Sequence, residues 1–175
     1  MEYQISIGHY DDIAQVSILN CSWLTSDFMT EDTSNGFLFG DPFSVQDLAN
    51  IVSHDEIIVA KFQNRLVGYY LLDNGSKTRI LREHEQMIAL LVTDGVIPPD
   101  GKVSKRMQCV VDRNHQMKGL SLIMLQHLLR LIGHKYDLLF ATVSKYNPKL
   151  AAHLRSGWQI IGENDTVHFI GYYVQ

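Results

Sequence analysis

The sequence predicts a single α/β domain, and three observations carry that expectation. Residues 105–143 alternate strand, helix and strand, a β-α-β unit that favours parallel pairing of its two strands. Residues 56–73 read as two apolar strands flanking Gln63-Asn64-Arg65, a spacing that suits a β-hairpin. The length, 175 residues, fits one hydrophobic core and leaves little room for a second.

Each element follows from local pattern. Tyr3 to Ile7 alternates and predicts a short strand; a helix opens near Asp11 or Asp12, with Ile13, Val16, Leu19 and Trp23 at helical spacing. Acids in its first turn suit the helix dipole. Thr25 to Phe43 holds Asn35-Gly36, Gly40 and Asp41-Pro42, so it is a long loop, studded with Phe28, Phe37, Phe39 and Phe43. These phenylalanines are either core or an acceptor wall, whereas Trp23 reads as core. Ser44-Val45-Gln46-Asp47 is a capping box with Asp in place of Glu and starts a short helix through Ile51. The segment 74–102 has the character of an insertion: an amphipathic helical stretch from Glu83 to Val92, then Asp94-Gly95, Pro98-Pro99 and Asp100-Gly101. Beyond it come a strand from Lys105 to Asp112, a helix from Gly119 to Ile132 and a strand from Asp137 to Val143. Asn147 caps a helix with Pro148 at its first position and Gly157 at its end; Trp158 to Gly162 and Val167 to Val174 close the chain as strands.

Composition limits the function classes. At 46% hydrophobic and 19% charged residues, the chain is too apolar for disorder. Its apolar runs fall short of the roughly 18 residues of a bilayer span, and Met1-Glu2-Tyr3-Gln4 lacks the start of a secretory signal. Cys21 and Cys109 form neither a disulfide framework nor a zinc motif, and the histidines show no metal-ligand spacing, so no metal is expected. A reducing cytoplasm is the expected compartment. The net charge of -4 is split: residues 1–60 contain no Lys or Arg and carry -10, and the remainder carries +6. The acidic third favours a cationic partner and the basic remainder an anionic one, or both are solvated faces. No basic stripe marks a nucleic-acid binder.

The chemistry concentrates at Arg113-Asn114-His115-Gln116-Met117-Lys118-Gly119-Leu120-Ser121. A loop running from a strand into a helix N-terminus presents unpaired backbone N–H groups and the positive end of the dipole, and small residues let a phosphate approach. The stretch lacks the Gly-Lys-Ser/Thr of a Walker loop and the first glycine pair of a dinucleotide fingerprint. A tight turn needing one glycine would look the same.

Val111 to Ser121 resembles the acyl-CoA pyrophosphate loop of the GNAT family of N-acyltransferases, whose pattern is Arg/Gln-x-x-Gly-x-Gly/Ala preceded five residues earlier by an apolar strand residue, here Val111. Downstream, Leu138 to Val143, Asn147 and Gly157-Trp158-Gln159-Ile160-Ile161-Gly162 are similar to the family's Asn...Gly-Phe segment, and the element order fits nearly the whole chain. Departures are Ser121 at the motif's end, the extra segment 74–102, and a helix one residue short between Asn147 and Gly157.

The resemblance implies a GNAT-like single domain with a mixed, mostly antiparallel sheet, one splayed parallel pair and helices on both faces. It implies acetyl-CoA as acyl donor, its pyrophosphate on the N–H groups of Gln116, Met117, Lys118, Gly119, Leu120 and Ser121. Pantetheine would pair with the free edges of Cys109 and Val111 and meet the amide of Asn147, which also serves as a helix cap. The family's acid, often a Tyr four residues before the Gly of Gly-Phe, is matched here by His153; Tyr146 is the second candidate. No Asp, Glu or His between Lys102 and Val111 supplies a strand base, which stays unassigned. The expected reaction is acetyl transfer to a primary amine by direct attack in a ternary complex. A small cationic acceptor is expected because Asp27, Glu31, Asp32 and Asp41 lie on the loop that borders the acceptor side in this fold. A homodimer is compatible with this reading. The competing expectation is a CoA-binding GNAT-fold sensor or partner-docking module without chemistry.

Overall fold

The structure, a computed structural model, describes residues 2–25, 33–74, 79–116 and 118–174, with the backbone alone at 79–81 and 83. The chain starts with β1 (Gln4–Ile7), paired antiparallel to β2 (Ile57–Phe62) with Gln4 opposite Lys61 and Ile7 opposite Ile58. A single 3-10 turn, Tyr10–Asp12, leads into α1 (Ile13–Cys21). The His9 amide donates to the Asp12 carboxylate at 3.0 Å, and that buried carboxylate meets Lys61 Nζ at 2.6 Å, which fixes the start of the helix against β2. The helix ends before Trp23, which the pattern placed on it; Trp23 is buried in the loop that follows.

The reciprocal cap on α2 (Val45–Ser53) forms as the sequence suggests. Ser44 Oγ accepts from the Asp47 amide at 3.1 Å, and the Asp47 carboxylate accepts from the Ser44 amide at 3.0 Å. Between β2 and β3 (Arg65–Leu72) the turn is tighter than the three residues expected. Gln63 and Asn64 take φ of 50° and 63°, the pair of left-handed residues of a two-residue turn whose twist matches the strands, so Arg65 already belongs to β3.

The chain then forms α3 (Arg79–Thr93) before entering β4 (Met107–Val111), which lies antiparallel to β3. After α4 (Leu120–Ile132) come β5 (Leu138–Ser144), the short α5 (Leu150–Arg155), β6 (Gln159–Glu163) and β7 (Val167–Tyr173). Among the described residues the strands form a four-stranded sheet in the order β1-β2-β3-β4 and a three-stranded sheet in the order β5-β7-β6, every neighbouring pair antiparallel.

Alternation along the strands sorts the helices onto two faces. Ile58, Ala60, Val67, Tyr70, Leu139 and Ala141 pack with Leu120, Met124, Leu125 and Leu128 of α4. Ile57, Val59, Tyr69, Leu71 and Val110 point the other way, onto α1 and α2, and Leu138, Phe140 and Phe169 meet Leu91 and Ile97 in and after α3. Helices therefore cover both faces, as expected.

The two sheets touch where β4 and β5 begin. Val103 and Leu138 form a parallel bridge, the Ser104 amide donates to the Leu138 carbonyl at 3.0 Å, and the Phe140 amide donates to Ser104 Oγ at 2.8 Å. Beyond that point no ladder joins β4 to β5 among the described residues. The β-α-β pair is parallel and splayed.

Candidate functional site

The splay decides which backbone groups are free. In an antiparallel ladder, residues opposite each other alternate between bonded and non-bonded pairs. The Asp73 amide donates to the Arg106 carbonyl and the Asp112 amide to the Val67 carbonyl, so the even-numbered residues of β4 bond to β3. Met107, Cys109 and Val111 consequently aim their N–H and C=O groups away from β3, into the gap. By the same alternation the Lys145 amide bonds to Thr166, so Thr142 and Ser144 of β5 face the gap from the other side. Both gap edges lie within a cavity of about 650 Å³ that runs between the two sheets.

At one end of the cavity is the N-terminus of α4. Gly119 is its cap residue in the left-handed conformation, φ 71°, and a Cβ added there would meet nothing within 4 Å, so the backbone stands open to an approaching group. The Ile123 amide is bonded to the Gly119 carbonyl, which leaves the amides before it without an acceptor in the helix. Gln116, Gly119, Leu120 and Ser121 line the cavity, as do Cys109 and Val111, whereas Lys118 does not; Met117 lies outside the described residues.

Asn147 also lines the cavity, but regular helix begins only at Leu150. Its Oδ1 accepts from the Lys149 amide at 3.0 Å, a local turn ahead of α5, and its Nδ2 donates to the Phe37 carbonyl at 3.0 Å. That second bond closes the 33–43 loop onto the β5–α5 connection. Gly36 permits the contact: with φ 88°, it sits where a Cβ would come within 2.8 Å of the Lys149 side chain. Phe37 and Phe39 line the cavity from this loop, Phe37 buried and Phe39 exposed, and Phe43 is core.

His153 faces the cavity from α5, its ring edge-on to Trp158 at 6.2 Å between centroids. Burial lowers its pKa, so the imidazole is neutral near pH 7. Tyr146 is exposed and is not part of the cavity wall. Burial pushes the Cys109 thiol up to about 12, which keeps it protonated and unfit as a nucleophile. Of the four acids expected on the acceptor side, Asp41 is exposed and off the cavity wall, and Asp27, Glu31 and Asp32 lie outside the described residues. No Asp or Glu belongs to the described cavity wall.

The structure adds residues that no motif pointed to. His84 of α3 is buried against Phe140, with Nδ1 3.0 Å from the Lys105 carbonyl and Nε2 3.1 Å from Thr142 Oγ1. A carbonyl only accepts, so Nδ1 carries the proton and the Thr142 hydroxyl donates to Nε2. Burial, with the Arg106 charge second, lowers its pKa from 6.5 to about 4. Arg106 and Gln108, side by side on the α1 and α2 face of β4, complete this end of the cavity. Gln108 was legible only as a strand residue, Arg106 only as a charge near the start of the strand, and His84 only as one of the histidines without metal-ligand spacing.

A sheet that opens between two parallel strands, with a helix N-terminus at the mouth of the opening, defines the fold of the GNAT acyltransferases. Solved structures agree. PaiA N-acetyltransferase from Thermoplasma acidophilum, in complex with coenzyme A, superposes with a TM-score of 0.65 at 9% identity, covering 99% of both chains. The yncA protein from Salmonella typhimurium, with acetyl-CoA, gives 0.62 at 12% identity over 100% of this chain and 95% of that one. An acetyltransferase of the GNAT family from Streptococcus pneumoniae gives 0.61 at 17% identity over 99% and 100%. At these identities the likeness establishes the fold alone. No protein-family model and no curated protein matches the sequence.

Proposed function

We propose that this protein is an N-acetyltransferase that moves an acetyl group from acetyl-CoA to a primary amine by direct attack. The observation that carries the reading is the continuity of one cavity from the open Gly119 amides to the free backbone edges of Cys109 and Val111. The first suits a pyrophosphate, which needs N–H donors and close approach. The second suits the amides of a pantetheine arm, which can extend β4 as a strand would. The neighbours solved with coenzyme A or acetyl-CoA support the same donor.

The amine nitrogen attacks the thioester carbonyl, a C–N bond forms, the C–S bond breaks, and the sulfur leaves as a thiolate that takes up a proton. Of the two acid candidates, His153 borders the cavity and Tyr146 does not, which favours His153; neutral at rest, its ring would take the proton that the attacking nitrogen loses and, as imidazolium, pass it to the thiolate sulfur. The segment 74–102 is read as an insertion whose helix α3 closes one side of the cavity through His84 and Met87. The small cationic acceptor expected from the sequence rests on Asp27, Glu31, Asp32 and Asp41, none of which is in the described cavity wall.

A second reading is favoured by a specific observation: the described wall holds no carboxylate, and two of its three histidines, His84 and His153, are held neutral, which suits a CoA-binding sensor or docking module. Thiol release from acetyl-CoA with a broad amine panel separates the two. Transfer is expected, and His153→Ala should lower kcat by roughly 10² with CoA affinity kept, Tyr146→Phe leaving it unchanged. Tight CoA binding with no thiol release from any amine would establish the second reading instead.

A further inference from the structure

The acceptor end of the cavity holds two buried groups whose hydrogen-bonding capacity is not used by the protein. The Arg106 side chain is 7% exposed, its guanidinium carbon lies 4.6 Å over the Phe43 ring, and Nη1 is 3.8 Å from Asp73 Oδ2. That separation gives Coulombic attraction without a hydrogen bond. Among the described residues no acceptor takes any of the five guanidinium N–H donors. A guanidinium so deeply buried ordinarily has its donors satisfied, because leaving them bare costs much of their lost hydration.

Two residues along the same face of β4, Gln108 has the same unused chemistry. Its Oε1 accepts from Tyr69 Oη at 2.6 Å and from Asn20 Nδ2 at 2.9 Å, an orientation of the amide that leaves its NH₂ group to the cavity. Asn20 also donates to Tyr69 Oη at 3.0 Å, so the network fixes Gln108 from behind. Gln108 is 7% exposed, and its NH₂ finds no acceptor among the described residues. Both side chains line the cavity.

We propose that Arg106 and Gln108 form an anchor for a carboxylate on the acceptor, so that the amine acetylated belongs to an amino-acid-like molecule. This rests on the acetyl-transfer reading for the identity of the amine, and on geometry alone for the anchor. A carboxylate supplies the planar pair of acceptor oxygens that a guanidinium fork matches, and the carboxamide adds a third donor from the side. Asp73 balances the arginine charge without consuming its donors, and Phe43 holds the plane of the guanidinium from one face.

The test pairs α-amino acids, from glycine to tryptophan, with their α-carboxamides, read by thiol release from acetyl-CoA in the wild type, Arg106→Lys and the double variant Arg106→Met with Asp73→Asn. Lysine keeps a charge beside Asp73 but loses the fork, and the double variant removes both charges together. The wild type should prefer the acids over the amides at least tenfold in kcat/KM; Arg106→Lys should cut the preference, and the double variant should bring it near unity with amide rates retained. Equal use of acids and amides by the wild type, or a preference untouched by the variants, overturns the anchor. Should coenzyme A bind and no amine be acetylated, the transfer reading fails while the anchor is still decided: saturation-transfer NMR on the CoA-loaded protein should show the acids, not the amides, bound in an Arg106-dependent way. Absence of that binding overturns it.

Discussion

At the scale of single residues, the cavity is defined by what burial does to charge. His84 is neutral because its ring is out of water and close to the Arg106 cation, which together outweigh the Lys105 carbonyl that favours the charged ring. In the unfolded chain the same ring takes a proton as pH falls through 6.5, whereas the folded protein resists until about pH 4. The unfolded state therefore binds more protons in that window, and stability must fall as pH drops from 6.5 to 4, by up to roughly 3 kcal/mol from this group. Burial of His153 shifts its pKa in the same direction and adds to the loss. Chemical denaturation at pH 7, 5.5 and 4.5 should show the decline, and His84→Gln should flatten it. A profile equally steep in the variant would place the titration elsewhere.

At the scale of elements, the start of α4 is the part of the fold proposed to cradle the donor's pyrophosphate. Gly119 occupies a left-handed position and faces open space, so Gly119→Glu would put both a strained backbone and a negative charge at the cradle. Calorimetric titration with coenzyme A should show affinity lost by at least 10²-fold while the circular dichroism spectrum is retained; unchanged affinity would remove the cradle from the site. A contrasting element is the start of α2, where the Ser44–Asp47 box is exposed and distant in role from the cavity. Ser44→Ala should cost about 1 kcal/mol of stability and leave coenzyme A affinity alone, which a denaturant melt beside the same titration would check.

At the scale of the whole molecule, the charge asymmetry of the sequence is only partly an asymmetry of surface. Asp12 is buried on Lys61, Asp47 caps α2, and Glu56 accepts a hydrogen bond from Tyr136 and another from Asn74, so these acids of the first 60 residues serve the fold. Asp41 remains exposed, and with Asp27, Glu31 and Asp32 it makes up the acidic segment proposed to favour a cationic group. Neutralising the four together, Asp27→Asn, Glu31→Gln, Asp32→Asn and Asp41→Asn, should raise the acceptor KM several-fold at low ionic strength. The difference should shrink toward 1 M salt, where the screening length falls to about 3 Å. An acceptor KM equal in variant and wild type at both salts would leave the segment as solvated surface.

Much of this architecture is written locally. The period of two in β1, the capping box of α2, the Gly119 stop between β4 and α4, and the helical pattern of α4 are all decided by neighbours in sequence, because propensity, caps and left-handed turns act over a few residues. The loop proposed to cradle the pyrophosphate was legible for the same reason: it is one continuous stretch of chain. What only the tertiary structure decided is which distant residues share the cavity. The end of α1 before Trp23 and the two-residue turn at Gln63-Asn64 depend on packing and on strand twist, which periodicity does not resolve. His153 was the first acid candidate and Tyr146 the second, and the path of the chain between β5 and α5 set Tyr146 outside the cavity wall and His153 within it. Arg106, Gln108 and His84 belong to no motif, since their partners Asp73, Asn20, Tyr69, Phe43 and Thr142 come from other strands, helices and loops. The sequence by itself determined most of the elements and the loop proposed as donor cradle, through short-range interactions; the proposed acceptor end was decided by which side chains of distant strands, helices and loops were packed around Arg106 and Gln108, a long-range consequence of how the strands paired.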